Sequence, residues 1–319
     1  MILLTGASGF IGSVLLGYFN SKGISDIIVV DSLSSDNRWK NLTGKNFKDF
    51  YDKDDFANKI NNVKEINYVI HLGACTDTLE FNTKYLLDVN FSYSKMLCQF
   101  AIARNIPFIY ASSAATYGDG LLGYDEDEEK VCQYKPLNPY GFSKNMFDLW
   151  FVNNFKPANW AALKFFNVYG PNEYHKGKMA SMVYQVYGQL MKFGKIRLFR
   201  SYKEDIEDGE QKRDFIYVLD VVRIIYNMYK NGFSNGIYNV GSGIPYSFND
   251  VASLIMEFSS LDGDVEYIEM PEDIKDKYQY FTAANNKKLL VNKLIPHFTS
   301  LRDGVKDYVQ KYLRKNIYF

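Results

Sequence analysis

The residues that most constrain this chain lie at its start. Ile2-Leu3-Leu4 is a short apolar run, and Thr5-Gly6-Ala7-Ser8-Gly9-Phe10-Ile11-Gly12 follows it directly. The glycines are spaced G-x-x-G-x-x-G and lead into Ser13-Val14-Leu15-Leu16-Gly17-Tyr18-Phe19, apolar at helical spacing. A strand, a glycine turn and a helix in that order make a phosphate cradle. Gly6 allows the tight turn, Gly9 lets backbone approach a pyrophosphate, and Gly12 lets the helix pack closely on the strand. The helix N-terminus then presents free N–H groups and the positive end of its dipole. A second apolar run, Ile27 to Val30, ends in Asp31, 19 residues after Gly12. That is close to the ~20-residue offset of a ribose-binding carboxylate. The spacing predicts a dinucleotide site.

Alternation of strand and helix patterns continues beyond it. Tyr68 to Leu72, Phe108 to Ala111 and Trp160 to Phe166 read as strands. Thr83 to Arg104, Asn138 to Phe155 (with Pro139 at its start) and Met179 to Phe193 read as helices. The pattern predicts an α/β fold: a doubly wound, parallel, Rossmann-type sheet with a smaller C-terminal substrate-binding lobe. The expected division assigns residues 1–168 and roughly 213–240 to the cofactor-binding domain. Residues 169–212 and 241–319 form the lobe. Ligands of such sheets sit at the C-terminal strand ends, where Gly6, Asp31, Gly73, Ser112, Ser113 and Asn167 fall. Two charged stretches, Asp125 to Lys130 and Lys203 to Arg213, read as solvated surface.

Composition excludes several partners. Lys+Arg and Asp+Glu are each 37, so the formal net charge of the 319 residues is zero. That balance gives no electrostatic footprint for nucleic acid or an anionic membrane. No apolar run is long enough to span a bilayer, and the N-terminus lacks a secretory pattern. Cys75, Cys98 and Cys132 read as free thiols of a cytoplasmic protein. With only His71, His175 and His297 beside them, no metal site is expected. Aromatic residues reach 17%, which composition alone leaves divided between core and ligand sites.

Chemistry is expected at Tyr140-Gly141-Phe142-Ser143-Lys144. Tyr140 and Lys144 lie four apart and share a helix face. An ammonium beside a phenol favours the phenolate and predicts a lowered Tyr140 pKa. Such a Tyr exchanges a proton with a substrate hydroxyl. Ser113, at a strand end in Ser112-Ser113-Ala114-Ala115-Thr116-Tyr117-Gly118, is placed to bind the same oxygen.

With TGxxGxxG, SSAATYG and YxxxK in order, the chain resembles the extended short-chain dehydrogenase/reductase family along nearly its whole length. Asn167-Val168-Tyr169-Gly170-Pro171, Arg213-Asp214-Phe215-Ile216-Tyr217 and Asn239-Val240-Gly241-Ser242-Gly243 are similar to its nucleotide-sugar branch of epimerases and dehydratases. Within that branch, the stretches Gly23 to Ile27, Leu72 to Thr76, Ala111 to Gly118 and Asn167 to Ser181 resemble the members acting on ADP-heptose. His175-Lys176-Gly177 and Lys277-Tyr278-Gln279 add to that likeness. The resemblance implies inversion at C6 of an ADP-heptose through bound NADP, with NAD the weaker alternative. It also implies a cytoplasmic homo-oligomer making a lipopolysaccharide core precursor. A UDP-hexose 4-epimerase or a dehydratase is the competing reading. Ala115-Thr116-Tyr117 lacks the Asp-Glu pair of dehydratases.

Roles follow residue by residue from the same resemblance. Tyr140 and Lys176 would be the two acid/base groups, Lys144 would tune Tyr140 and bind the nicotinamide ribose, and Ser113 would hold the reacting oxygen. Gly6, Gly9, Phe10, Ile11, Gly12, Asp31, Ser32, Arg38, Lys53, Leu72, Gly73, Ala74, Cys75, Thr76, Asn90 and Val168 would line the cofactor. Val89 is the alternative position to Asn90. Tyr140, Lys144 and Lys176 would touch the cofactor as well. Asn167, Lys178, Arg213 and Tyr278, with Ser113, would hold the sugar nucleotide. One departure stands out: Phe199-Arg200-Ser201-Tyr202 replaces a short Phe-Glu-Gly-Ser turn, and extra residues run towards Gln211.

Overall fold

The computed structural model describes residues 1–319 except Lys64, Phe155, Ala158, Asp276 and Lys277. The expected helix end at Phe155 and the Lys277 of the C-terminal motif therefore lie outside the described residues. The strands are β1 (Ile2–Thr5), β2 (Ile27–Asp31), β3 (Asp49–Asp52), β4 (Tyr68–His71), β5 (Phe108–Ser113), β6 (Trp160–Phe165), β7 (Asn167–Tyr169), β8 (Lys195–Phe199), β9 (Lys212–Tyr217), β10 (Gly236–Val240), β11 (Pro245–Ser247) and β12 (Asp264–Ile268).

Seven strands form one parallel sheet in the order β3-β2-β1-β4-β5-β6-β10. The order reverses between β1 and β4, so the crevice of a doubly wound sheet opens there. The glycine turn leaves β1 at that crevice. Strands β1 and β4 are buried along their whole length, which is why they read as unbroken apolar runs. Strand β3 escapes the apolar pattern because Asp49-Phe50-Tyr51-Asp52 is a partly exposed edge.

Alternate residues of β1 feed different cores. Ile2 and Leu4 join a cluster with Val14, Leu15 and Ile225, whereas Leu3 joins Leu97, Phe100 and Phe151. Helices Phe10–Ser21 and Val218–Asn231 thus cover one face, and Tyr93–Arg104 and Pro139–Val152 the other. Much of the aromatic surplus is packed on this second face. Tyr110 meets Phe147 edge-on at 4.9 Å, and Phe151 lies 4.8 Å from Trp160, ring centre to ring centre.

A three-stranded sheet, β11-β9-β7, and a two-stranded one, β12-β8, stand beyond the main sheet. The three-stranded sheet carries Asn167 and Arg213 to the cavities described below. The charged stretches are only partly the solvated surface expected of them: residues 203–207 are largely exposed, whereas residues 125–130 are mostly half-buried and the second stretch ends in buried residues. In the first, the Glu126 carboxylate accepts the Asn239 N–H at 2.7 Å and the Lys288 N–H at 3.0 Å, and Asp125 pairs with Lys130 at 2.9 Å. In the second, Gln211 and Arg213 are buried, Gln211 against the backbone after β8 and Arg213 over the Tyr278 and Phe248 rings. The Gln211 amide donates to the Phe199 and Arg200 carbonyls, so the extra residues fold back as a closed loop.

A buried ion pair braces the sheet against the helix of Tyr140. Lys164 Nζ lies 2.7 Å from Asp148 Oδ2 and 2.6 Å from Thr116 Oγ1. Tyr110 and Ser112 also donate to Asp148, at 3.0 and 2.7 Å. Lys164→Met leaves that carboxylate buried without its counter-charge. The expected loss is about 3–5 kcal/mol of stability, read from urea unfolding. A loss below about 1 kcal/mol would mean that the pair contributes little.

Candidate active site

Three adjoining cavities run along the crevice. The largest, about 580 Å3, is lined by the glycine turn, Asp31, Arg38, the Leu72–Asp77 loop, Ser113, Tyr140, Lys144, Asn167, Val168, His175 and Lys176. One neighbour, about 420 Å3, extends past Asp31 to Ser32, Lys53, Tyr85, Val89 and Tyr93. The other, about 340 Å3, lies between Thr78–Phe81, Asn138, Arg213, Tyr278 and Gln279.

The turn after β1 fits a pyrophosphate because it has no side chains to spare. Gly6 sits at φ +71°, a left-handed conformation, and a Cβ there would stand 2.6 Å from the Gly73 nitrogen. A Cβ on Gly12 would stand 2.1 Å from the Gly6 carbonyl oxygen. The helix begins at Phe10, before Gly12, so its first N–H groups open on the cavity. The residues present therefore fit a dinucleotide phosphate.

Asp31 is already engaged by the protein. It accepts the Ser8 and Ser32 N–H groups, each at 2.8 Å, and pairs with Arg38 at 3.3 Å. Arg38 also donates to Asp36 at 2.8 Å and to the Ser32 carbonyl at 2.5 Å. Its charge thus sits directly over the carboxylate that would otherwise repel a 2′-phosphate. Lys53 lines the same end, paired with Asp54 at 2.8 Å.

Tyr140 and Lys144 come from the helix that Asn138 caps, its side chain accepting the Gly141 N–H at 2.7 Å. Both side chains are buried and line the largest cavity. Ser113 ends β5 and lines the same cavity as the Tyr140 phenol. The expected lowering of the phenol does not occur among these residues. Burial is the dominant influence and raises its pKa, and only the neighbouring Ser113 hydroxyl opposes it. Burial equally weakens the Lys144 ammonium, bringing it down to about 8 against a raising pull from Asp148.

Lys176 projects from the turn after β7 and donates to Thr76 Oγ1 at 3.0 Å. It therefore reaches across the cavity to the loop after β4. Burial lowers its pKa, and Glu173 and Asp77 raise it. His175 lines the cavity beside it, held near 4 first by burial and then by the Lys176 charge. His71 is a satisfied core residue. Gly73 N–H donates to Thr5 Oγ1 and Ser94 Oγ donates to the Asn90 carbonyl. That leaves Thr5 donating to His71 Nδ1 at 2.6 Å, and Nε2–H donating to Ser94 at 2.8 Å. Burial holds this neutral ring at about 3.

Two expected contacts fall elsewhere. Asn90 lies behind the cavity, fully buried, and its amide binds Cys75 N–H, Cys75 C=O and Ser143 Oγ at 2.8, 3.0 and 2.9 Å. The helix is wound wide at Leu87–Ser92, a π turn that puts Val89 on the cavity instead. Lys178 is exposed and lines none of the three cavities. Gly177 kinks the turn at φ +53°, ψ −121°, separating Lys178 from Lys176. His175, Asp77, Phe81 and Gln279 line the cavities without an expected role. His175 and Gln279 had a signal, as the motif neighbours of Lys176 and Tyr278. Arg213 is placed over the Tyr278 and Phe248 rings, 5.1 and 5.6 Å from their centres, and lines the smallest cavity. None of residues 200–211 lines it.

Among the described residues no His/Cys/Asp/Glu group could hold a metal, and no helix is long and apolar enough to cross a membrane.

Residues 2–241 match the NAD dependent epimerase/dehydratase family. A Fusobacterium nucleatum protein named ADP-L-glycero-D-manno-heptose-6-epimerase is 47% identical, over 99% of this chain and 98% of its own. The crystal structure of Helicobacter pylori ADP-L-glycero-D-manno-heptose-6-epimerase superposes with a TM-score of 0.81 at 29% identity, covering 97% of this chain and 95% of that one. A Thermotoga maritima UDP-glucose 4-epimerase with UDP-glucose superposes at 0.80 with 26% identity, over 99% of both chains.

Proposed function

The chain belongs to the NAD dependent epimerase/dehydratase family, and from that premise we propose that it inverts C6 of the heptose in ADP-D-glycero-D-manno-heptose. The product is ADP-L-glycero-D-manno-heptose, without net redox change. One observation carries the reading: a single cavity joins a dinucleotide cradle to two proton-exchanging groups, Tyr140 and Lys176, on different elements. The high identity to relatives named for this reaction supports the heptose over a hexose.

NADP is the proposed cofactor. Held by the glycine turn, Asp31, Arg38 and Lys144, it would supply reversible hydride transfer at C6, so that the carbon could be oxidised on one face and reduced on the other. Tyr140 takes the proton of the C6 hydroxyl as the hydride leaves, and Ser113 holds that oxygen. Lys176 gives a proton to the oxygen of the other epimer as the hydride returns. Lys144, one turn along the same helix, binds the nicotinamide ribose. Arg213 clamps the substrate diphosphate, with Tyr278 and Asn167 completing the sugar-nucleotide site. On this reading, residues 1–168 and roughly 213–240 serve the cofactor, and the remainder serves the substrate. The same reading makes the protein a cytoplasmic homo-oligomer supplying a lipopolysaccharide core precursor.

Purified protein incubated with ADP-D-glycero-D-manno-heptose should invert C6, followed by NMR. Inversion of a UDP-hexose with none of the heptose would overturn the proposal in favour of a 4-epimerase. Arg38→Ser should weaken NADP binding at least tenfold more than NAD binding, measured by titration calorimetry. Equal weakening would remove Arg38 from the 2′-phosphate site.

A further inference from the structure

The Lys176 turn is a partly exposed loop that crosses from β7 to the Met182–Phe193 helix. Its catalytic lysine must nevertheless be held in place. Gly177, in its middle, adopts a left-handed φ and has no neighbour within 4 Å of an added Cβ. The turn cannot be held by its own packing there. Its hold comes from a fully buried side chain at its start, Glu173.

Glu173 grips both ends of the turn. One carboxylate oxygen accepts the Gly170 N–H at 3.1 Å and the Ser181 hydroxyl at 2.8 Å. The other accepts the Ser181 N–H. Gly170 precedes the turn and Ser181 follows it, so one carboxylate closes a ring around Lys176. Burial raises the Glu173 pKa, and the three donors that point at its oxygens, with the Lys176 charge, oppose that rise and favour the ionised form. Gln185 reinforces the far side, donating to the Lys178 and Ala180 carbonyls at 3.1 and 2.8 Å.

We infer that Glu173 is a positioning residue: its carboxylate closes the turn that carries Lys176 and keeps a negative charge within range of that ammonium. The inference rests on the acid/base role proposed for Lys176. The charges facing Lys176 are Glu173 from its own turn and Asp77 from the loop after β4, with the Cys75 thiol beside it. His175 adjoins it, and Arg38 and Asp36 lie beyond. Tyr174, Tyr184 and Tyr308 face Glu173 itself. Burial of Lys176 disfavours its charge, and Glu173 leads the opposing influences. Removing that charge moves the Lys176 titration to lower pH.

The two parts of the inference separate in two variants of the NADP-loaded protein. Glu173→Gln removes the charge. Acetic anhydride labelling of Lys176 across pH, read by peptide mass spectrometry, should show its titration about one unit lower than in the parent protein. Glu173→Asp keeps the charge but is too short to reach both ends. Its Lys176 titration should stay in place, while amide exchange over residues 174–180 accelerates at least tenfold. An unmoved titration in Glu173→Gln, or unchanged exchange in Glu173→Asp, overturns the inference. The Asp variant keeps it testable if the Gln variant does not fold. Labelling does not depend on turnover. If it shifts as expected while Lys176→Met remains fully active, the acid/base reading fails and the positioning role stands.

Discussion

Tyr140→Phe is expected to lower epimerisation by about 10²–10⁴-fold, the range for losing a positioned acid/base group. The substitution removes one oxygen from a ring that is already buried, so packing on the Pro139–Val152 helix is kept. NADP affinity should change by no more than about threefold, because the glycine turn, Asp31 and Arg38 are untouched. The defect should also be one-sided. If Tyr140 serves one epimer and Lys176 the other, the variant fails to oxidise only the epimer that faces Tyr140. Single-turnover nicotinamide absorbance with each epimer separately reads this. Full activity would remove Tyr140 from the chemistry. Equal loss with both epimers would favour a single base for both faces.

Lys176→Met should cost a similar about 10²–10⁴-fold. Methionine keeps the length and apolar stem while losing the ammonium and its bond to Thr76. The mirror-image defect is expected, with the opposite epimer spared. If both variants block the same epimer, Lys176 is not the second base. If Lys176→Met turns over at the parent rate, the two-base mechanism fails. Cofactor binding serves as the control in both cases, since a collapsed cavity would lose it.

The dinucleotide half of the site was legible because its logic is local. Gly6 needs its left-handed φ and Gly12 its close approach to the Gly6 carbonyl within one turn, and Asp31 follows at a set distance along two strands and a helix. Tyr140 and Lys144 were legible for the same reason, sharing one helix face. Strand β3 was not, since a half-exposed edge pairs Asp with aromatics and hides its period. The charged stretches are only partly solvated because the Glu126 carboxylate binds Asn239 and Lys288, and Arg213 lies over Tyr278, all partners more than 60 residues away in sequence.

Electrostatics were the least legible. Sequence spacing puts an ammonium one turn from a phenol and argues for a lowered Tyr140 pKa. The fold buries both groups, and desolvation outweighs their proximity. Similarly, Asn90 carries a suitable amide, but the π turn directs it into the protein and offers Val89 to the cavity.

By itself, then, the sequence determined the parallel α/β sheet, the cradle after β1 and the Tyr140–Lys144 pair. Each depends on residues within a few turns of one another, where backbone geometry alone sets the outcome. Tertiary structure decided which groups share one cavity, that Lys176 reaches Thr76 across it, and that Glu173 closes the turn beneath. It also decided how each buried group titrates. Distances and dielectric surroundings arise only when distant segments pack, and no spacing along the chain encodes them directly.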